Sequence, residues 1–390
     1  MPEENPPSLA FAGHQLQSAS VSVKSQSSTK SRLYFLDGSR GIAALVVLAY
    51  HTVIFQSQEN PLTFFAYMAV DYFFALSGFV LFSQINAKAT LPAWVFTFRR
   101  ALRLWPLVTI ILLVSFLNEC LQWVIVSAKS SNVPLADNPF EGKTLAGWLL
   151  ALCLLQVIFQ SAHVWWGPLW SLSVEWLVNL LAILTRRVDT YYLAVGAVAL
   201  GSIVFWQWET FNLSTSPSVD FGYLGFARAL MTFFPGMAMA KLLIGRKRLL
   251  RTPLSAAIIS LLALILAFLS SGLSDLPVYR AAVSSVAAFC TLYLLSSVVE
   301  SKLSPRSKIF LTWLGRLSFG VYLWHLLFSS WVNAAARAIF NESTGPAHLF
   351  LQSFDLIVTI GLSLGAAYLS YKYFEPLLRR QLAKILVVPD

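Results

Sequence analysis

The chain has 390 residues, 57% hydrophobic and 12% charged, with a formal net charge of +10 and a mean hydropathy of +0.67. A soluble domain carries about 25% charged residues, so this composition excludes an ordinary soluble enzyme, and its apolar richness excludes a disordered chain. Long continuous apolar runs, in place of short alternating segments, exclude a membrane β-barrel.

Residues 1–31 are polar and Ser-rich, with Pro2, Pro6 and Pro7 at the start. They read as a disordered tail. No basic segment leads into an apolar core there, so the first span is expected to serve as the targeting signal. Apolar runs follow at about 33–56, 62–85, 105–127, 145–160, 168–184, 190–208, 221–244, 253–272, 278–299, 311–333 and 350–374. Pro92–Leu104 carries Arg99, Arg100 and Arg103 among aromatics and reads as an amphipathic interfacial helix. The expected fold is all-α, a polytopic transmembrane helix bundle of about ten spans plus an interfacial or re-entrant helix. Its membrane domain covers 32–378, and a short cytoplasmic tail covers 379–390. No internal repeat is visible, which disfavours a transporter built from inverted halves.

Basic residues collect at Lys24/Lys30/Arg32, Arg99/Arg100/Arg103, Arg186/Arg187, Arg246–Arg251, Lys302/Arg306/Lys308 and Arg379/Arg380/Lys384. Acidic residues fall in the alternate loops, so the basic clusters and both termini are expected in the cytoplasm. Two glycosylation sequons, at Asn212 and Asn341, fall in loops assigned to the other side. Three apolar runs separate Arg103 from Arg186, and an odd number would invert everything downstream. One run between 145 and 184 is therefore expected to be partial. The expected location is the endoplasmic reticulum or another endomembrane.

Ionisable groups within apolar runs cost about 2.5–3.5 kcal/mol each on insertion, so they mark functional sites by default. The first run holds Leu36-Asp37-Gly38-Ser39-Arg40-Gly41 and then Tyr50-His51. Arg40 and His51 are eleven residues apart, close to three whole turns and about 16 Å of rise, so they share one helix face. Asp37 lies one turn before Arg40. A neutral histidine in a desolvated cavity suits general-base work, its reference pKa being about 6.5. An arginine suits a phosphate or a developing oxyanion. The plain alternative is a topology-setting arginine and a hydrogen-bonded histidine. Further along come Asp71 near mid-span, with Arg40 or Arg228 as prospective partner, and Arg100 with Arg103 on one face at the interface. Next is Gly167-Pro168-Leu169-Trp170-Ser171-Leu172-Ser173-Val174-Glu175, a helix break before a buried carboxylate. His325, in Tyr322-Leu323-Trp324-His325, reads as a bonded structural histidine. The cysteines Cys120, Cys153 and Cys290 read as small buried hydrophobes. No metal-ligand spacing, hydrolase elbow or nucleotide fingerprint is present.

Taken together, these motifs resemble the acyltransferase-3 family of integral-membrane acyltransferases. The resemblance rests first on Arg40-x10-His51, then on Asp71-Tyr72-Phe73-Phe74-Ala75-Leu76-Ser77-Gly78-Phe79, Arg100-x-x-Arg103 with Pro106, Trp170–Glu175, Gly315-Arg316-Leu317-Ser318 with Tyr322-Leu323-Trp324-His325, and Phe374-Glu375-Pro376. It implies a ten-helix bundle and an acyl-CoA donor entering from the cytoplasm. No extracytoplasmic esterase-like domain is expected after Pro376, and the Ser-rich tail, sequons and lean loops look like a filamentous-fungal member. The expected function is O-acyl transfer, acetyl-CoA-dependent, to a hydroxyl of a small molecule, a secondary metabolite or a sugar. His51 is the expected base, and Arg40 steadies the oxyanion or a CoA phosphate. Asp37 or Glu175 orients the histidine or pairs with Arg40. Arg99, Arg100 and Arg103 hold CoA phosphates. Acyl-CoA is the cosubstrate, with no permanently bound cofactor, and the lipid bilayer rather than nucleic acid is the other partner. The rival readings are a transporter using the buried Arg, His and Glu groups, and a non-catalytic membrane scaffold.

Overall fold

A backbone in hydrocarbon must satisfy its own N–H and C=O groups, which an α-helix does within one segment. The computed structural model describes residues 33–52, 62–87, 91–129, 138–159, 167–211, 217–243, 303–340 and 346–386, with a few positions between 287 and 295. The tail at 1–31, the run at 253–272, most of that at 278–299, the cluster at 246–251, His14, His163, Asn212 and Asn341 lie outside them. All described elements are helical. In chain order they are α1 (Tyr34–His51), α2 (Leu62–Ala87), α3 (Ala93–Lys129), α4 (Leu145–Leu152), α5 (Gln156–Phe159), α6 (Leu169–Leu184), α7 (Thr190–Phe211), α8 (Pro217–Leu243), α9 (Pro305–Phe340) and α10 (Pro346–Leu369). One turn of π-helix, Ser370–Phe374, then leads into α11 (Glu375–Leu386), so the segment from 379 begins as helix.

Four stretches of the described helices are long and apolar enough to cross a membrane: Met68–Asn86, Ala93–Ala128, Leu224–Leu243 and Ser353–Leu382. This is fewer than the ten expected. Within α1, Asp37, Arg40 and His51 interrupt the apolar run, and α9 carries Arg306, Lys308 and Arg316. The apolar helices Leu169–Leu184 and Thr190–Val204 are shorter.

One segment differs from the sequence reading, and a second, at 145–160, is broken within the stretch where one run was expected to be partial. The interfacial helix at 92–104 is not a separate element. It forms the first turns of α3, whose 37 residues extend about 55 Å, well beyond the roughly 30 Å of a bilayer core. Pro106 lies inside this helix and has no N–H for the Leu102 carbonyl. The guanidinium of Arg379 on α11 supplies the missing donor, Nε reaching Leu102 O at 3.3 Å. The run at 145–160 is broken into α4 and α5. Eight residues of α4 extend only about 12 Å.

The break follows from local geometry. The N–H of Leu155 reaches Leu150 O at 2.8 Å and that of Leu154 reaches Ala151 O at 3.0 Å, the paired bonds of a Schellman helix stop. Glycine usually takes the left-handed position of that motif. Here it is Leu154, at φ 57°. A left-handed leucine costs about 1–2 kcal/mol. Its side chain is 0% exposed against the α3 and α6 core, and full burial of a leucine is worth about 1.5–3 kcal/mol, so burial outweighs the strain.

Helix directions are fixed by named contacts. Arg40 meets Ser318 and His51 meets Ser329, both at a sequence offset of 278, so α1 and α9 run parallel in register. Asp71 meets Arg228 and Gly78 abuts Phe233, so α2 and α8 also run parallel. Both pairs approach closely through glycines. A Cβ at Gly78 would collide with the Phe233 carbonyl, and one at Gly236 with that of Ala75. Gly315 likewise leaves room for the Asp37 backbone. By contrast, α7 and α8 are antiparallel. Asp189 caps α7, its Oδ1 accepting from the Tyr191 N–H at 2.8 Å. Its Oδ2 accepts from Lys241 Nζ at the far end of α8 at 2.5 Å. Lys241, with the Tyr191 N–H, holds this exposed carboxyl below the usual carboxylate range.

Candidate active site

Helix α1 carries two polar stations on its α9-facing side. At the first, Arg40 reaches across the Gly315 gap. Its Nε donates to Ser318 Oγ at 2.8 Å, its Nη2 donates to the Gly315 carbonyl, and Ser318 Oγ donates to the same carbonyl at 2.9 Å. Beside it, Ser39 Oγ and Tyr72 OH are 2.5 Å apart and tie α1 to α2. The field of Arg103 reaches Arg40, Arg100 and Glu375. The carboxylates of Asp37 and Glu175 act on Arg40 from the same end. Arg40, Arg100 and Arg103 therefore form one guanidinium cluster, built from α1 and α3.

Glu175 sits within this cluster. Ser77 Oγ donates to its Oε1 at 2.6 Å, and Arg100 Nη2 stands 3.5 Å from the same oxygen and donates to Ser77 Oγ at 2.8 Å. Arg100 Nε is buried without a hydrogen-bond partner. Arg103 is exposed and Arg99 half-buried on the same helix. An orphaned buried N–H beside an exposed guanidinium suits an anionic oxygen, the chemistry of a phosphate.

The second station is His51, at the last turn of α1, about 16 Å along the axis from Arg40. Its Nδ1 lies 2.8 Å from Val47 O and 3.3 Å from Nε2 of His325. The two rings are 5.0 Å apart at 51°, and Tyr50 places an edge on His51. Ser329 Oγ donates to the His51 carbonyl at 2.9 Å, satisfying one of the orphan acceptors of a helix end. His325, 1% exposed, has its Nδ1 2.6 Å from Tyr322 O. The Tyr322 hydroxyl in turn lies 2.6 Å from Ser171 Oγ. The turn at Gly167-Pro168 thus brings the first turn of α6 to Tyr322, whose carbonyl engages His325.

The sequence-derived residues therefore separate into two groups. Arg40, Arg100, Arg103 and Glu175 come together at one station, and Asp37 lies one turn from Arg40. Asp37 is fourteen residues from His51 on the same helix, about 21 Å along the axis, and the oxygen contacts of Glu175 are with Ser77 and Arg100. Asp71 pairs with Arg228 at 3.0 Å, with 0% and 6% of the side chains exposed. The meeting of His325 with His51 was not legible in the sequence, although its offset of 274 lies one helical turn from the 278 of the Arg40–Ser318 pair. Glu119, held by Lys143 at 2.6 Å, and Asp355, buried and accepting from Thr359 at 3.1 Å, are carboxylates within the candidate membrane-crossing helices that the motif reading passed over. A scan for acids inside apolar runs would have found both.

Comparison with known proteins adds an independent line. The profile of a family described as an acyltransferase domain, acyltransferase-3, matches residues 33–371. A Rhizobium radiobacter protein called protein 2 in picA locus is 32% identical over 184 residues, covering 44% of this chain and 95% of its own length. Putative O-acetyltransferases from Staphylococcus aureus strains COL and MSSA476 are each 24% identical over 379 residues. They cover 90% of this chain, which spans 58% of their length. No solved structure matches.

Proposed function

The chain belongs to the acyltransferase-3 family, and from that premise we propose that it is an acyl-CoA-dependent O-acyltransferase. In this reading it moves an acyl group, acetyl by preference, onto a hydroxyl of a small molecule such as a secondary metabolite or a sugar. The observation that carries the reading is the histidine on α1 whose Nδ1 is engaged by Val47 O. A carbonyl only accepts, so Nδ1 holds the proton and the lone pair of neutral His51 is on Nε2. Nε2 takes the proton of the acceptor hydroxyl as its oxygen attacks the thioester carbonyl. The C–S bond then breaks, and the proton passes from Nε2 to the leaving thiolate sulfur.

The other station takes the donor. Arg103, Arg100 and Arg99 are assigned to the CoA phosphates. Arg40, about 16 Å from His51, is assigned with them rather than to the oxyanion. Asp37 and Glu175 balance this positive cluster and do not orient His51. The flexible pantetheine arm of CoA would bridge the two stations and carry the thioester towards the histidine.

The same contacts support the topology. Arg186, just after α6, donates from Nη1 to Leu91 O just before α3, at 2.8 Å. The end of α6 therefore lies beside the start of α3, and the broken α4–α5 segment returns to the side it left. The parallel pairs α1/α9 and α2/α8 each require an odd number of crossings between them, which fits ten spans with 145–159 as the partial one. In this arrangement the arginine end faces the cytoplasm, both termini lie there, and the protein resides in an endomembrane. Purified protein with labelled acetyl-CoA and a panel of alcohols tests the reading. Label appearing in an ester supports it. Flux of an alcohol into proteoliposomes with no ester formed would replace the enzyme with a transporter.

A further inference from the structure

The reading of His51 as base, on which this inference rests, leaves open what holds its imidazole in the reactive tautomer. In many hydrolytic sites a carboxylate has that task. The carboxylates that the sequence offered for this task, Asp37 and Glu175, are engaged at the other station. What faces His51 instead is a second neutral imidazole. The Tyr322 carbonyl, 2.6 Å from His325 Nδ1, is a pure acceptor, so Nδ1 of His325 carries the proton. A neutral imidazole with its proton on Nδ1 presents a lone pair at Nε2, and Nε2 of His325 is the atom that faces Nδ1 of His51, at 3.3 Å. The His51 N–H is thus shared between Val47 O at 2.8 Å and His325 Nε2. We propose that His325 is the positioning residue of the reaction. It accepts from His51 Nδ1–H, fixes the tautomer that exposes Nε2 to the acceptor hydroxyl, and stabilises the imidazolium that forms when that proton arrives.

The surroundings are built for this. His325 is buried and its backbone bond is to its own helix, so its ring cannot turn over without losing a short bond. Tyr322 is anchored by Ser171, and Ser329, one turn further along α9, holds the His51 carbonyl. Three residues of one helix, Tyr322, His325 and Ser329, therefore fix the end of α1 and the ring it carries. A neutral partner also avoids burying a carboxylate charge in the hydrocarbon region, where a charged side chain costs about 2.5–3.5 kcal/mol on insertion scales.

The test compares His325→Gln, whose amide oxygen can sit near the Nε2 position and accept, with His325→Phe, which fills the space and cannot. With acetyl-CoA and an alcohol accepted by the parent enzyme, His325→Phe should lose about 10–100-fold in kcat with both KM values near parent, the scale for groups that orient a histidine through its second nitrogen. His325→Gln should stay within about threefold of parent. Equal losses in the two variants, or parent kcat in folded His325→Phe, would overturn the proposal. Nitrogen-15 spectra of histidine-labelled parent protein give a reading independent of variant folding. They should show His51 protonated at Nδ1 and bare at Nε2, and the opposite tautomer would equally overturn it. Full activity of His51→Ala would instead remove the base reading, and is told apart from failure of the His325 role because only that variant tests it.

Discussion

Among single residues, Asp71 and Arg228 test most simply what burial does to charge. Both are withdrawn from solvent and bonded at 3.0 Å between α2 and α8. Removing one partner leaves an uncompensated buried charge, which costs about 3–5 kcal/mol, whereas replacing both with apolar groups of similar volume is often neutral. Arg228→Met should therefore lower the thermal midpoint of detergent-purified protein sharply, and Asp71→Leu added to it should restore most of the loss. A single variant as stable as the parent would show that the pair holds nothing together. Sequence alone flagged Asp71 as expensive and offered two arginines as partners. The choice of Arg228 follows from the parallel register of α2 and α8, which is a property of packing and carries no local signal. Likewise the shared face of Arg40 and His51 could be read from the helical repeat, whereas the His51–His325 contact joins residues 274 positions apart.

At the scale of elements, apolar runs were legible as helices, but their ends and breaks were not. The α3 helix absorbs the arginine-rich segment because Pro106, which elsewhere would stop it, finds its lost donor replaced by Arg379 from the far end of the chain. The 145–160 run looks continuous because a leucine occupies the left-handed stop usually given to glycine, paid for by burial that only the tertiary structure supplies. These breaks bear on the topology. In the proposed arrangement α4 and α5 return to their own side, so that the end of α3 and the start of α6 lie on one face of the membrane. Single cysteines introduced at Lys143 and Arg187, in a background lacking Cys120, Cys153 and Cys290, should react with an impermeant thiol reagent from opposite sides of sealed vesicles. Labelling of both from the same side would remove the partial span and, with it, the ten-span count.

Over the whole molecule, two chemistries are set apart along one helix. A guanidinium cluster of Arg40, Arg100 and Arg103 lies at one end of α1, and an imidazole pair lies at the other, with α9 running parallel beside it to hold both. In the proposed reaction the cluster takes the phosphates of the donor and the pair carries out proton transfer. These are separable demands, because an interaction made equally in the ground and transition states moves KM, while one made only at the reacting atoms moves kcat. The most direct measurement is steady-state kinetics of His51→Ala beside Arg103→Glu, with acyl-CoA varied at saturating acceptor. His51→Ala should lose about 10²–10⁴-fold in kcat, the contribution of a positioned general base, with donor KM near parent. The parent's rate should rise with pH through the imidazole pKa, since only the neutral ring accepts a proton. Arg103→Glu should keep kcat and raise donor KM, and the parent's donor KM should rise with ionic strength as salt screens this exposed charge. A His51→Ala enzyme with parent kcat and parent pH profile, or a folded Arg103→Glu enzyme with parent donor KM, would contradict the division of labour between the two ends of α1.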